Sequence, residues 1–117
     1  MILKKTETPH VLIAYLQGRL DSSNAAVTEH DLIGALENGL RYLVLDFSEL
    51  DYINSAGLRI LVLAYQHLQP RGGRVVVCGA HDYITEIFEI SGYNRIFLMQ
   101  SDLEQAMRTI GDSEDGR

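Results

Sequence analysis

The stretch from Tyr42 to Cys78, YLVLDFSELDYINSAGLRILVLAYQHLQPRGGRVVVC, decides the fold. Tyr42-Leu43-Val44-Leu45-Asp46 is a short run, apolar on both faces, the pattern of a strand covered from both sides. Phe47 to Asn54 mixes polar and apolar residues and reads as a connection. Ser55 then opens a helix, with Leu58, Leu61, Val62, Tyr65 and Leu68 on one face. Pro70 and the pair Gly72-Gly73 stop it, and Val75 to Cys78 forms a second buried strand. Strand, helix, strand in that order predicts parallel pairing across a helical crossover.

Working outward, the same alternation continues on both sides. Towards the N-terminus, Leu3 to Thr6 and Val11 to Leu16 read as two strands separated by a short link through Pro9, so they should pair antiparallel. Gly18 to Asn24 reads as a turn ending in Asp21-Ser22-Ser23-Asn24, all helix-capping types. A helix with Leu32, Ile33, Leu36 and Leu40 follows, Gly39 lying near its end. Towards the C-terminus, a short helix spans Asp82 to Ser91 with Ile84, Ile87 and Phe88 inward, and Gly92 ends it. Ile96 to Met99 is a last strand, and Ser101 with Glu104 forms a capping box for a closing helix carrying Leu103, Ala106, Met107 and Ile110. The expectation is an α/β single-domain sandwich: a mixed, mostly parallel sheet of four to five strands packed with four helices. The domain would span residues 1–110, and residues 111–117 would form a flexible acidic tail.

Composition narrows the function. The chain has 117 residues, of which 46% are hydrophobic, enough for one domain with a sizeable core. Asp and Glu outnumber Lys and Arg by 16 to 10, giving a net charge of -6. That balance argues against a grip on nucleic acid, which needs clustered cations. The single cysteine, Cys78, lies in an apolar run and reads as a small buried thiol in a reducing compartment. No apolar segment approaches the roughly 18 to 20 residues needed to cross a bilayer, so a soluble, cytoplasmic protein is expected. His10, His30, His67 and His81 fall in separate elements without metal-ligand spacing. No Gly-x-Ser-x-Gly elbow and no phosphate-cradling Gly-Lys-Ser/Thr loop is present. Asp46, Glu49 and Asp51 are placed as turn formers and solvated charges rather than a general acid-base set. A non-catalytic protein without metal or cofactor is expected.

The informative segment is Asp46 to Arg59. Ser55 stands where a helix must begin, and two roles are open to it. It can cap the helix by accepting from a free backbone N–H of the first turn. Alternatively, the small Ala56 and Gly57 beside it leave the helix start bare, so that a larger molecule can approach the hydroxyl.

From Gly18 to Ile110 the chain resembles the STAS domain family, whose founding members are bacterial anti-sigma factor antagonists. Gly18-Arg19-Leu20-Asp21 is similar to the family's Gly-x-Leu-Asp turn. Leu43-Val44-Leu45-Asp46-Phe47-Ser48 is similar to its central strand and Asp-x-Ser turn. Asn54-Ser55-Ala56-Gly57-Leu58 matches the loop whose first Ser accepts phosphate. The segments from Gly72 to Gly79 and from Ile87 to Gly92 resemble the next strand and helix.

The resemblance implies a partner-switching regulator of transcription. An unphosphorylated antagonist binds an anti-sigma factor that is also a serine kinase, and so frees a sigma factor. Phosphorylation of the antagonist breaks the complex, and a phosphoserine phosphatase resets it. Carried onto this sequence, the phosphoacceptor is Ser55. The flanking docking surface is Asp21, Ser22, Ser23, Asn24, Asn54, Ala56, Gly57, Leu58 and Arg59. Two positions depart from the family pattern: Asn54 stands where many members have Asp, and Ala56 where a second Ser is frequent. A STAS adaptor role in a lipid-transport or stress-signalling assembly, without a phospho-switch, is the alternative the fold also permits.

Overall fold

The apolar runs pair into one sheet in the computed structural model, which describes residues 1–36 and 39–114. Strands β1 (Ile2–Lys5), β2 (Val11–Leu20), β3 (Tyr42–Ile53), β4 (Arg74–Cys78) and β5 (Leu98–Gln100) lie across it in that order. β1 runs antiparallel to β2, with Ile2 opposite Tyr15, as the short link through Pro9 requires. Every other neighbouring pair is parallel. The crossovers carry α1 (Ala25–Ala35), α2 (Ser55–Leu68) and α3 (Asp82–Ser91), and α4 (Leu103–Glu114) closes the chain. The α/β sandwich, a five-stranded mixed sheet with four helices, is the one expected.

Successive strand residues point to opposite faces, so a strand apolar throughout needs cover on both sides. Leu12, Ala14, Leu43, Leu45, Val75 and Val77 pack beneath α1, α2 and α3, which contribute Leu32, Ile60, Leu61, Ala64, Ile84 and Phe88. Phe88 meets Phe47 and Phe97 edge to face, with ring centroids 6.1 and 5.7 Å apart. On the other face Val11, Ile13, Tyr42, Val44, Val76 and Cys78 meet Ala106 and Ile110 of α4. Burial there, reinforced by the nearby carboxylates of Asp46 and Asp102, pushes the Cys78 thiol up to about 12, which makes it a packing residue and a poor nucleophile.

Several boundaries differ from the sequence reading, each for a local reason. β2 continues through Gly18 to Leu20, and β3 continues through Phe47 to Ile53, where a connection was expected. Two register shifts explain the second case. Tyr15 pairs with Asp46 and Gln17 with Glu49; Gly18 pairs with Leu50 and Arg19 with Tyr52. Each shift inserts one extra residue into β3, so its buried residues become Phe47, Leu50 and Ile53, three apart instead of two. The alternation that marks a strand is thereby erased.

α1 ends at Ala35, and Leu40 follows Gly39, whose φ is 92°, rather than lying on the helix; residues 37–38 lie outside those described. Arg71 closes that end by donating to the Leu36 and Leu40 carbonyls at 3.2 and 3.1 Å. A short helical turn over Tyr93–Arg95 displaces the last strand to Leu98. The cap of α4 is Asp102, whose Oδ1 accepts from Gln105 N at 2.9 Å, not Ser101. The helix itself runs on through Gly111 to Glu114, into the stretch expected to be a tail. Gly92 ends α3 in a left-handed conformation (φ 77°), whereas Gly111 is not among the glycines with positive φ, so nothing local ends α4 there. The remainder of the expected tail, 115–117, lies outside the described residues.

Candidate functional site

β2 and β3 run side by side to a common end, where Leu20 is level with Ile53. Each then turns into a helix, so the N-termini of α1 and α2 emerge next to each other at the C-terminal edge of the sheet. The first turn is tied by its own side chains. Asp21 accepts from the Ser23 amide at 2.9 Å, from the Ser23 hydroxyl, and from Arg19 Nε at 3.1 Å. These contacts, the Ser23 hydroxyl foremost, hold the Asp21 carboxyl below its ordinary value near 3.8. Asn24 precedes α1 but its side chain does not cap it. It accepts from Asp21 N at 3.0 Å and donates to the Arg19 carbonyl at 2.7 Å, stapling the turn. Arg19 also lays its guanidinium over the Tyr52 ring, 4.1 Å from the centroid, across the strand pair.

The second turn settles which residue caps α2. Asn54 is extended, and its Oδ1 accepts from Ala56 N at 3.0 Å and Gly57 N at 3.3 Å. Its carbonyl accepts from Leu58 N at 2.9 Å, and its own amide donates to the Leu20 carbonyl at 3.3 Å. Asn54 therefore fixes the helix start to the end of β2. Ser55 is the first helical residue, not the cap. It is exposed, and among the described residues its hydroxyl has no hydrogen-bond partner. Of the two roles the sequence left open, the capping one belongs to its neighbour.

Gly57 is small for a reason opposite to the expected one. It is buried, and a Cβ built on it would stand 2.7 Å from the Leu20 carbonyl oxygen and 2.8 Å from carbons of Leu20 and Ile53. Its missing side chain lets α2 sit down on the strand pair; it does not open the helix start to a partner. Leu58 is likewise in the core, 9% exposed. These two leave the expected docking set as inward-facing residues. Asp21, Ser22, Ser23, Asn24, Asn54 and Ala56 remain partly or fully exposed around Ser55, as does Arg59. Arg59, expected on the docking surface, also makes a contact that the motif does not announce: its Nη1 pairs with Glu29 Oε1 of α1 at 3.3 Å, joining the two helices. Such a pairing between helices depends on packing that no spacing rule reveals.

Elsewhere, Asp46 was expected to form a turn but lies within β3, where its Oδ1 accepts from Ser48 N at 2.9 Å across the first register shift; Glu49 and Asp51 are exposed. Among the described residues, no group of three or more His, Cys, Asp or Glu side chains is placed to hold a metal ion. No described helix is long and apolar enough to cross a membrane.

Residues 3–106 match the STAS domain as a family. The chain belongs to the STAS domain family. Among its relatives, the Bordetella bronchiseptica protein BtrV, named for an anti-sigma factor antagonist role, is 42% identical over 96 residues, spanning 82% of this chain and 83% of that one. The anti-sigma-B factor antagonist of Listeria monocytogenes is 30% identical over 95 residues, 80% of this STAS chain and 82% of its own length. Solved STAS folds superpose along nearly the whole length. An anti-sigma factor antagonist from Mycobacterium paratuberculosis gives a TM-score of 0.82 at 20% identity, over 92% of this chain and 90% of that one. The phosphorylated form of the Bacillus cell fate determinant SpoIIAA gives 0.73 at 17%, over 93% and 99%. The STAS domain of a SulP transporter from Vibrio cholerae also gives 0.73, at 16%, over 92% and 86%. At such identities the structures establish the STAS fold and nothing finer.

Proposed function

We propose that this chain is an anti-sigma factor antagonist whose binding to an anti-sigma factor with serine kinase activity is switched off by phosphorylation of Ser55, and restored by a phosphoserine phosphatase. The similarity to BtrV and to the Listeria antagonist supports the antagonist role. The observation that carries the switch is the division of labour at the start of α2. Asn54 holds the free amides of the first turn, and Ser55 keeps an exposed, unengaged hydroxyl. Partner and protein would meet in the cytoplasm, without direct contact to DNA.

In the transfer, Oγ of Ser55 bonds to the γ-phosphorus of ATP, the bond to the bridging oxygen breaks, and ADP leaves. The hydroxyl proton passes to a base on the kinase. The product carries about -1.5 to -2 charges at the positive end of a helix dipole, which the fold tolerates. A partner closed over the same point does not, because an unpaired charge buried there costs several kcal/mol. A loss of only about 2.8 kcal/mol lowers affinity a hundredfold.

The test is incubation with the cognate anti-sigma kinase and ATP, followed by mass-spectrometric mapping. Incorporation at Ser55, abolished in Ser55→Ala, supports the reading. Incorporation at Ser22, Ser23 or Ser48 sinks the site assignment. Stable binding without any incorporation points instead to a STAS adaptor lacking a phospho-switch.

A further inference from the structure

Arg59 is the one basic residue of α2 within a turn of Ser55. Residues four apart on a helix face the same way, with Cβ atoms about 5–6 Å apart. Helical side chains also lean towards the N-terminus, so the guanidinium of residue 59 extends over the turn that residue 55 begins. An anion placed four residues before a cation is the favourable order along a helix. In the unmodified protein that guanidinium is engaged sideways, with Glu29 of α1. The side chains of Arg59 and Glu29 are 68% and 39% exposed and meet through a single contact of 3.3 Å, the kind of pair that gives way to a stronger competitor. A phosphate carries up to twice the charge of a carboxylate and three acceptor oxygens. No acidic side chain lies in the first turn of α2 to compete for the guanidinium there.

We infer that Arg59 is an internal receiver for the Ser55 phosphate, leaving Glu29 to pair with it. This rests on the phosphorylation of Ser55 proposed above and adds a second component to the switch. The modification then does more than add an anion to the docking face. It withdraws the guanidinium from the α1–α2 seam, leaves the Glu29 carboxylate on α1 without its partner, and turns the local charge at the start of α2 from positive to negative.

The experiment uses the full chain with phosphoserine installed at position 55 during synthesis, so that no kinase is needed. Phosphorus NMR follows titration of the phosphate, whose second proton ordinarily leaves near pH 6. The expected midpoint is lower in the otherwise native protein than in Arg59→Ala by about 0.2–0.4 pH units, the scale of one exposed pair four residues apart on a helix. Glu29→Gln should lower it further by freeing the guanidinium, and should do so much less when Arg59 is already alanine. Equal midpoints with and without Arg59 overturn the inference. An equal effect of Glu29→Gln in both backgrounds also overturns it, because that is the mere removal of a neighbouring charge. Absence of kinase-dependent labelling at Ser55 is a different failure, which sinks the proposed function and leaves these titrations standing.

Discussion

Replacing Gly57 by alanine tests whether the seat of α2 on the β2–β3 pair is as tight as it appears. In an open helix the change is favourable, by about 0.8–1 kcal/mol, because glycine is the poorer helix former. At Gly57 the new methyl would meet three atoms at 2.7–2.8 Å, one of them the Leu20 carbonyl oxygen, which is backbone and has little room to move. Overpacking of that kind costs about 1–3 kcal/mol, and three simultaneous contacts place this site near the upper figure. Subtracting the propensity gain leaves a net loss of about 2 kcal/mol, or roughly 6–10 °C in Tm for a chain of this size. Gly34 in α1 provides the contrast, since a Cβ there meets nothing within 4 Å. Gly34→Ala should stabilise by up to about 1 kcal/mol. Urea and thermal unfolding of both variants against the wild type measure the difference. If Gly57→Ala melts with or above Gly34→Ala, the packing argument is wrong, and Gly57 is again a candidate for an open docking position.

Three further outcomes are expected. Ser55→Ala should keep partner binding, whereas Ser55→Glu should weaken it about a hundredfold by calorimetry while changing stability by no more than about 0.5 kcal/mol; a Ser55→Glu protein that unfolds would show that the hydroxyl is structural. Asn54→Ala should cost about 1 kcal/mol in urea melts through loss of the cap, and Asn54→Asp should not, because a carboxylate both caps and complements the helix dipole; equal melts for all three proteins would refute the assignment of the cap. Asp21 has a folded pKa below its ordinary value near 3.8, so its contribution to stability is present above that value and is lost as pH falls through the lower folded value. Tm measured from pH 5 to 2 should therefore decline less in Asp21→Asn than in the wild type, and parallel curves would count against the Ser23 and Arg19 contacts in solution.

What could be read from the sequence was whatever a side-chain period or a backbone-breaking residue announces. The span of α3 and its stop at Gly92 were legible because Ile84 and Phe88 lie four apart and a glycine follows the last turn. The outer half of β3 was not, since its two extra residues changed the spacing of buried positions from two to three. The capping residue itself was missed twice: at Asn54, where capping had been left as one of two roles for the adjacent Ser55, and at Asp102, where Ser101 was named instead. Both members of each pair have the right chemistry, and only the backbone angles decide which one stands outside the helix. At the candidate site, the motif marked Ser55 and its neighbours, and the structure places Ser55 exposed at the start of α2. The inward turn of Gly57 and Leu58 was missed because a motif names residues without saying which way they face.

The shortness of β4 has a practical corollary. It runs alongside β3 only from Tyr42 to Asp46, so the far part of β3, which leads to Ser55, is laddered to β2 alone. β4 and β5 thus lie to one side of the β2–β3 pair that leads to Ser55, and α4 covers the sheet face opposite α2, meeting Val11 and Ile13 of β2, Tyr42 and Val44 of β3, and Val76 and Cys78 of β4. With docking at the surface proposed around Ser55, a fluorophore or affinity handle on an outward residue of α4, such as Arg108, would report on complex formation from the opposite face of the sheet.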